Sequence, residues 1–178
     1  YADGFTMDPE HARMLVSERT RVIMPVDSFG QPADHKTLEC LANEVGALLV
    51  VDAACSLGAA RGGMECGAHG DMGCFSFHPR KVITCGEGGM VTTNDSSLAT
   101  RLRLLRNHGS QKPKGDGRVL EFVEPGFNYR LSEMPAALGL EQMKRLDRII
   151  SDRQVTASRY DKALVDLPEL WIPGPPTE

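Results

Sequence analysis

The chain has 178 residues, of which 41% are hydrophobic and 25% charged, and 20 Lys or Arg against 24 Asp or Glu leave a net charge of −4. That is a globular composition with enough chain to bury about 70% of its unfolded surface, and it excludes a disordered or low-complexity polymer. The acidic balance argues against broad nucleic-acid binding, and the longest uncharged apolar run, residues 45–51, is far short of the roughly 20 residues of a membrane helix.

Residue 1 is Tyr and no charged-then-apolar leader opens the chain, so no secretion signal is expected and the sequence reads as a piece of a longer one. Cys40, Cys55, Cys66, Cys74 and Cys85 are an odd number of thiols in a chain that does not need disulfides. They read as reduced cysteines of a cytoplasmic protein.

Asp8-Pro9-Glu10 predicts a helix start, with Asp as cap and Pro in the first turn. Residues 22–26 read as a short buried strand, and Ser28-Phe29-Gly30-Gln31-Pro32 breaks the chain into a loop. Asp34 caps the next helix, which carries Leu38, Leu41, Ala42 and Val45 at helical spacing and ends at Gly46. Residues 47–52 are apolar on both faces and predict a strand buried between two layers, parallel to its predecessor across the helix.

Residues 58–70 are Gly-rich and irregular. Strands are expected at 72–77 and 89–93, and a helix opens at Thr93-Asn94-Asp95-Ser96 with Leu98, Leu102 and Leu105 on one face. Residues 110–127 read as one long loop. From Ser132 a continuous helix is expected to about residue 164, with Pro135 tolerated in its first turn and Met134, Leu138, Met143, Leu146, Ile149 and Ile150 on its apolar side.

Two residues stand out chemically. Asp52 ends the central strand, at the sheet edge where open α/β folds bind ligands, and a carboxylate there needs a cation, a donor or water. Lys81 follows the strand 72–77 in Ser76-Phe77-His78-Pro79-Arg80-Lys81, ahead of Gly86-Glu87-Gly88-Gly89. A lysine held partly away from water at such a place can present a free amine to an aldehyde. Separately, each is compatible with a turn residue. Together they suit pyridoxal phosphate, which takes an imine from a lysine and an acidic partner for its ring nitrogen.

Asp52-Ala53-Ala54, Gly70-Asp71-Met72-Gly73-Cys74-Phe75-Ser76-Phe77-His78-Pro79-Arg80-Lys81, Gly86-Glu87-Gly88-Gly89 and Thr93-Asn94-Asp95 resemble, in that order, the DegT/DnrJ/EryC1/StrS aminotransferases. Leu104-Leu105-Arg106-Asn107-His108-Gly109 and Gly126-Phe127-Asn128-Tyr129-Arg130-Leu131 extend the resemblance, which runs from about residue 3 to about residue 165. It implies a fold type I α/β large domain with a mixed, mostly parallel sheet between helices, and pyridoxal 5'-phosphate as cofactor. Lys81 is then the lysine that bonds the cofactor and shuttles protons. Asp52 pairs with the pyridine nitrogen, Ser76 donates to the phosphate, and Asn128 reaches the phosphate in the neighbouring subunit of a homodimer. The family usually has Gln, contacting the ring hydroxyl, where this chain has Cys55, a shorter and weaker donor.

The resemblance also implies a chain incomplete at its N-terminus, because nothing before Val22 resembles the family's Gly-rich phosphate loop or its ring-stacking aromatic. The expected division is residues 1–130 for the C-terminal part of the large domain and 131–178 for a linking helix, lining the dimer interface, and the start of a small domain. The implied reaction moves an amino group from an amino acid, glutamate or glutamine, to a nucleotide-linked keto-sugar, without nucleic acid, membrane or metal. Alternatives are a same-fold sugar dehydratase, although such relatives replace the lysine with His, and a regulatory member without turnover. A further alternative is a small zinc module from Cys66, His69, Cys74 and His78. Six Lys or Arg and one Asp between 101 and 118 would attract a nucleotide diphosphate or form a solvated face.

Overall fold

The computed structural model describes residues 5–111 and 120–172. Local sequence sets most element starts. Asp8 caps helix α1 (Pro9–Leu15) by accepting the amides of Glu10 (2.9 Å) and His11 (3.3 Å). Strand β1 (Val22–Ile23) is shorter than the expected 22–26. Pro25 has no N–H to give a ladder, so pairing resumes only as a bridge between Val26 and Asp52.

Helix α2 (His35–Val45) starts at Asp34, which accepts the Thr37 amide (3.1 Å). It ends at Gly46, whose φ of +66° lets its N–H turn back to the carbonyls of Ala42 and Asn43. Strand β2 (Leu48–Asp52) follows. The Gly-rich stretch holds a two-stranded antiparallel pair, β3 (Ala60–Arg61) and β4 (Met64–Glu65). Strands β5 (Met72–Ser76) and β6 (Gly89–Thr92) lead to helix α3 (Ser96–Leu105), which opens within Thr93-Asn94-Asp95-Ser96 as expected, with Asp95 as its cap.

Residues 110–127 are not a plain loop. Strands β7 (Ser110–Gln111) and β8 (Glu121–Phe122) pair antiparallel, while residues 112–119, part of the basic stretch, lie outside the described residues. The single long helix expected from Ser132 is two: α4 (Glu133–Met143), with Pro135 in its first turn, and α5 (Leu146–Leu164). They break at Lys144 and Arg145, where the apolar spacing continues across the join and gives no warning.

The main sheet has the order β1-β2-β5-β6, with β1, β2 and β5 parallel and β6 antiparallel. This is the mixed, mostly parallel α/β sheet that the family resemblance implies, and β1 and β2 run parallel as the strand–helix–strand order predicts. The core lies between α2 and one sheet face: Leu38, Leu41 and Ala42 pack with Ile23, Leu49, Val51 and Ala53. The second face is not buried as the apolar run predicts. Leu48, Val22 and Met24 are exposed and Val50 is half-buried, because α2 covers one side of β2 only.

A buried carboxylate ties the turn after β1 to the loop after β2. Asp27 is 0% exposed and accepts three hydrogen bonds, from the Ala33 amide (3.0 Å), His35 Nε2 (2.7 Å) and Ser56 Oγ (2.8 Å). Its own amide donates to the Asp52 carbonyl (3.0 Å). Burial pushes the Asp27 carboxyl up, but the bonds from His35, Ala33 and Ser56 outweigh it and hold the group below its ordinary value. Ser56 Oγ serves Asp27 rather than His35, so the trio is an anchor and not a nucleophile relay. Beside it, burial is the main cause that pushes the Cys66 thiol up to about 12.

Leu38→Ala, which empties a fully buried position, should cost about 2–5 kcal/mol in a urea melt. Asp27→Ala should cost about 3–5 kcal/mol by leaving buried donors without their partner. Because the folded Asp27 value is depressed, its stabilisation is complete above about pH 4, the unfolded value, and is lost as pH falls through the folded one. The acid limb of stability against pH should therefore flatten in Asp27→Asn; an unchanged limb would remove Asp27 from acid unfolding.

Candidate functional site

Parallel pairing brings the carboxyl ends of β2 and β5 to one sheet edge. Asp52, the last residue of β2, is in register with Cys74, and Ser76 ends β5 two residues later. Side chains alternate along a strand, so Cys74 and Ser76 share the face of Asp52, while Gly73 and Phe75 share the face of Val51. The Asp52 backbone is fixed on both sides, its N–H donating to Pro25 (2.9 Å) and its carbonyl accepting from Asp27. Its half-buried carboxylate accepts one bond on Oδ1, from the Ala54 amide (3.1 Å), and Oδ2 has no partner among the described residues. The Cys74 thiol is pushed up by its burial and then by the Asp52 charge.

Lys81 lies in the connection from β5 to β6. That connection is closed on itself: the Phe77 amide donates to Gly88 (2.8 Å), and the Phe77 carbonyl accepts from the Cys85 amide (3.1 Å) and Thr84 Oγ1 (2.9 Å). Helix α4 holds it from outside through Gln142 Oε1, which accepts the Thr84 amide (3.0 Å). The Lys81 amide closes a turn onto His78 (2.9 Å), and the half-buried side chain carries Nζ to 3.1 Å from Cys55 Sγ. Cys55 is the third residue after Asp52, so the amine lies over the loop that leaves β2. Ser76 Oγ accepts only a long bond from the His78 amide (3.4 Å), and its hydroxyl proton has no acceptor among the described residues.

Asp52, Cys55, Ser76 and Lys81 thus gather at one edge. Asn128 does not join them. It is exposed, on an extended segment pinned to the end of α3 by the Phe127 amide on Leu105 (3.0 Å), the Tyr129 amide on Arg106 (2.9 Å) and Arg130 Nη1 on Asn107 Oδ1 (2.8 Å). Phe127 and Tyr129 stack beside it at 5.2 Å. His108, exposed at φ +60°, donates its amide to the Phe127 carbonyl (2.9 Å).

The donor set fits pyridoxal phosphate. An amine reaches the loop that leaves the strand ending in a carboxylate, that carboxylate keeps an oxygen unused, and a hydroxyl with a spare proton sits on the neighbouring strand end. The sequence alone misses the Asp27 anchor and the grip of Gln142. The one local hint to the anchor is an acidic residue directly following the apolar stretch 22–26.

The zinc arrangement does not form. Cys66 sits against Ser56 and Asp27, His69 lies beside His35 with ring centres 4.8 Å apart and planes tilted by 51°, and Cys74 points with Asp52 from the other sheet face. Among the described residues no three His, Cys, Asp or Glu side chains are placed to hold a metal ion. A separate cavity of about 550 Å³, lined by Cys66, His69, Phe75, Asn94, Asp147 and Ile150 among others, does not include Asp52, Ser76 or Lys81. No helix among the described residues is long and apolar enough to cross a membrane.

The chain is similar to several known proteins. It is 39% identical over 163 residues to the GDP-perosamine synthase of Caulobacter vibrioides, covering 92% of this chain and 43% of that protein. Its fold superposes with a TM-score of 0.92 and 36% identity on DesV of S. venezuelae, solved in complex with a ketimine intermediate, over 99% of this chain and 46% of that one. It also superposes on Spr1654 of Streptococcus pneumoniae, solved in its PLP form (TM-score 0.83, 26% identity, 93% of this chain and 47% of that one). The chain therefore spans slightly less than half the length of these proteins. The model of the DegT/DnrJ/EryC1/StrS aminotransferase family matches residues 2–178, and this chain belongs to that family.

Proposed function

We propose that the protein carrying this chain is a pyridoxal-phosphate-dependent aminotransferase that moves an amino group from an amino acid, glutamate or glutamine, to a nucleotide-linked keto-sugar. The observation that carries this is the reach of the Lys81 amine to the loop after Asp52, at the shared edge of β2 and β5. The similarity to sugar aminotransferases supports the class of acceptor. The division at residues 130 and 131 belongs to the same proposal, supported by the change there from sheet to paired helices.

When bound, pyridoxal phosphate supplies an aldehyde that exchanges amines and a ring that draws electron density from the carbon losing its proton. The protein's part is positioning and proton transfer. Lys81 holds the cofactor through Nζ in the resting enzyme. With its amine free, Lys81 would take a proton from the donor carbon and return it on the cofactor side, as general base and then acid. The unused oxygen of Asp52 accepts the ring N–H and keeps that nitrogen charged, which favours electron withdrawal. Ser76 Oγ donates to the phosphate. Cys55, 3.1 Å from the amine, would face the ring hydroxyl as a weak donor. Asn128, exposed and held rigidly at the end of α3, serves the phosphate of a second subunit in a homodimer. A cytoplasmic enzyme suits the unpaired thiols.

Lys81→Ala in the full-length protein should lower turnover by about 100- to 10,000-fold or more while leaving the melting curve in place. Borohydride treatment after addition of pyridoxal phosphate should fix the label on the peptide holding Lys81; a label on another lysine would overturn the assignment. Asp52→Asn should still take up cofactor but lose most turnover, measured with an amino donor and a nucleotide keto-sugar. A near-normal rate would detach Asp52 from the ring nitrogen.

A further inference from the structure

Cys55 and Lys81 stand 26 positions apart and come from different connections, yet Sγ and Nζ lie 3.1 Å apart. Neither group arrives on a loose loop. Cys55 precedes Ser56, which is bonded to the buried Asp27, and its carbonyl lies against Gly30 (φ +85°), where an added Cβ would come within 3.1 Å of that oxygen. Lys81 sits in the closed connection gripped by Gln142. The thiol is exposed to solvent and the amine is half-buried.

We propose that this pair is a covalent modification site, at which a peroxide joins Cys55 and Lys81 through a reversible sulfur–nitrogen bond. In the first step the thiol attacks the peroxide. The O–O bond breaks, sulfur is oxidised by two electrons to the sulfenic acid, and the peroxide is reduced to water. In the second step the lone pair of the Lys81 amine attacks sulfur. The S–N bond forms as the S–O bond breaks, and hydroxide leaves with the amine proton as water. One thiol, one amine and one hydrogen peroxide give the linkage and two waters. A small thiol reverses it: its sulfur takes the place of nitrogen and frees the amine, and a second thiol then releases Cys55 as a disulfide forms between the two reagents.

The other cysteines lack this arrangement. Cys66 and Cys85 are buried, and Cys74 is half-buried beside a carboxylate. Cys40 on α2 is exposed as Cys55 is, but no amine lies within hydrogen-bonding distance of it among the described residues. It is an internal control. The consequence for activity rests on the proposed role of Lys81: the bond withholds the amine that would take the cofactor, so oxidation and cofactor loading compete. The bond itself rests only on the geometry.

The test is peptide mapping by mass spectrometry of the full-length protein after hydrogen peroxide, with and without prior pyridoxal phosphate, digested without reductant. The expected product joins the Cys55 peptide to the Lys81 peptide, lighter than their sum by two hydrogens, and the free forms of both peptides disappear in equal amounts. Dithiothreitol should restore both. The product should persist in Cys40→Ser, vanish in Cys55→Ser and Lys81→Arg, and fall when cofactor is loaded first. Oxidation of Cys55 to the sulfinic acid without linkage, or capture of Lys81 by another cysteine, would overturn the proposal. If borohydride places the cofactor on a different lysine while the linkage still forms, the assignment of Lys81 to the reaction fails and the modification site stands.

Discussion

A carboxylate with no access to water is tolerated only when hydrogen-bond donors surround it, and Asp27 takes three, from two separated places in the chain: Ala33 and His35 at the start of α2, and Ser56 after β2. The turn after β1, the start of α2 and the loop after β2 must therefore meet at one point. The backbone of Asp52 is drawn into the same knot, because Asp27 donates its amide to the Asp52 carbonyl. The Asp52 carboxylate then has a fixed address, and Cys55, between Asp52 and Ser56, inherits the same fixity.

The second half of the site is positioned differently. Lys81 does not ride on a strand, although its sequence places it close behind one. It is carried by a connection whose two ends are adjacent strands and whose middle is closed by bonds to the Phe77 carbonyl. Helix α4, which follows far later in the chain, completes the hold through Gln142. The long helical tail thus contributes to the site without placing a reacting group in it.

The sequence is legible where the physics is local. Asp8, Asp34 and Asp95 cap helices because each sits beside the amides it serves, and Gly46 ends α2 because only a residue at ease with positive φ turns the chain there. Asp52 and Lys81 can be picked out because strand ends and glycine runs can be read in one dimension. The Asp27 knot and the thiol–amine pair are not legible, since their members are separated by 8, 29 and 26 positions and only the folded chain brings them together. Strands of two residues such as β7 and β8 carry no periodicity to detect. The break between α4 and α5 has neither Gly nor Pro to mark it. The run 47–52 correctly announces a strand, but hydrophobicity counts apolar faces without naming what covers them, so the exposed side of β2 escapes it.

The antiparallel return of β6 beside β5 has a consequence for how this protein can vary. With Ser76 opposite Gly89, the segment between them behaves as a tether of set span, and the lysine amine can sweep only the small volume its own side chain allows. Residues along the tether can be exchanged with modest effect, but one added or removed would rotate every later side chain about the closure at Phe77. Evolution and engineering should therefore find this stretch permissive in letters and rigid in length.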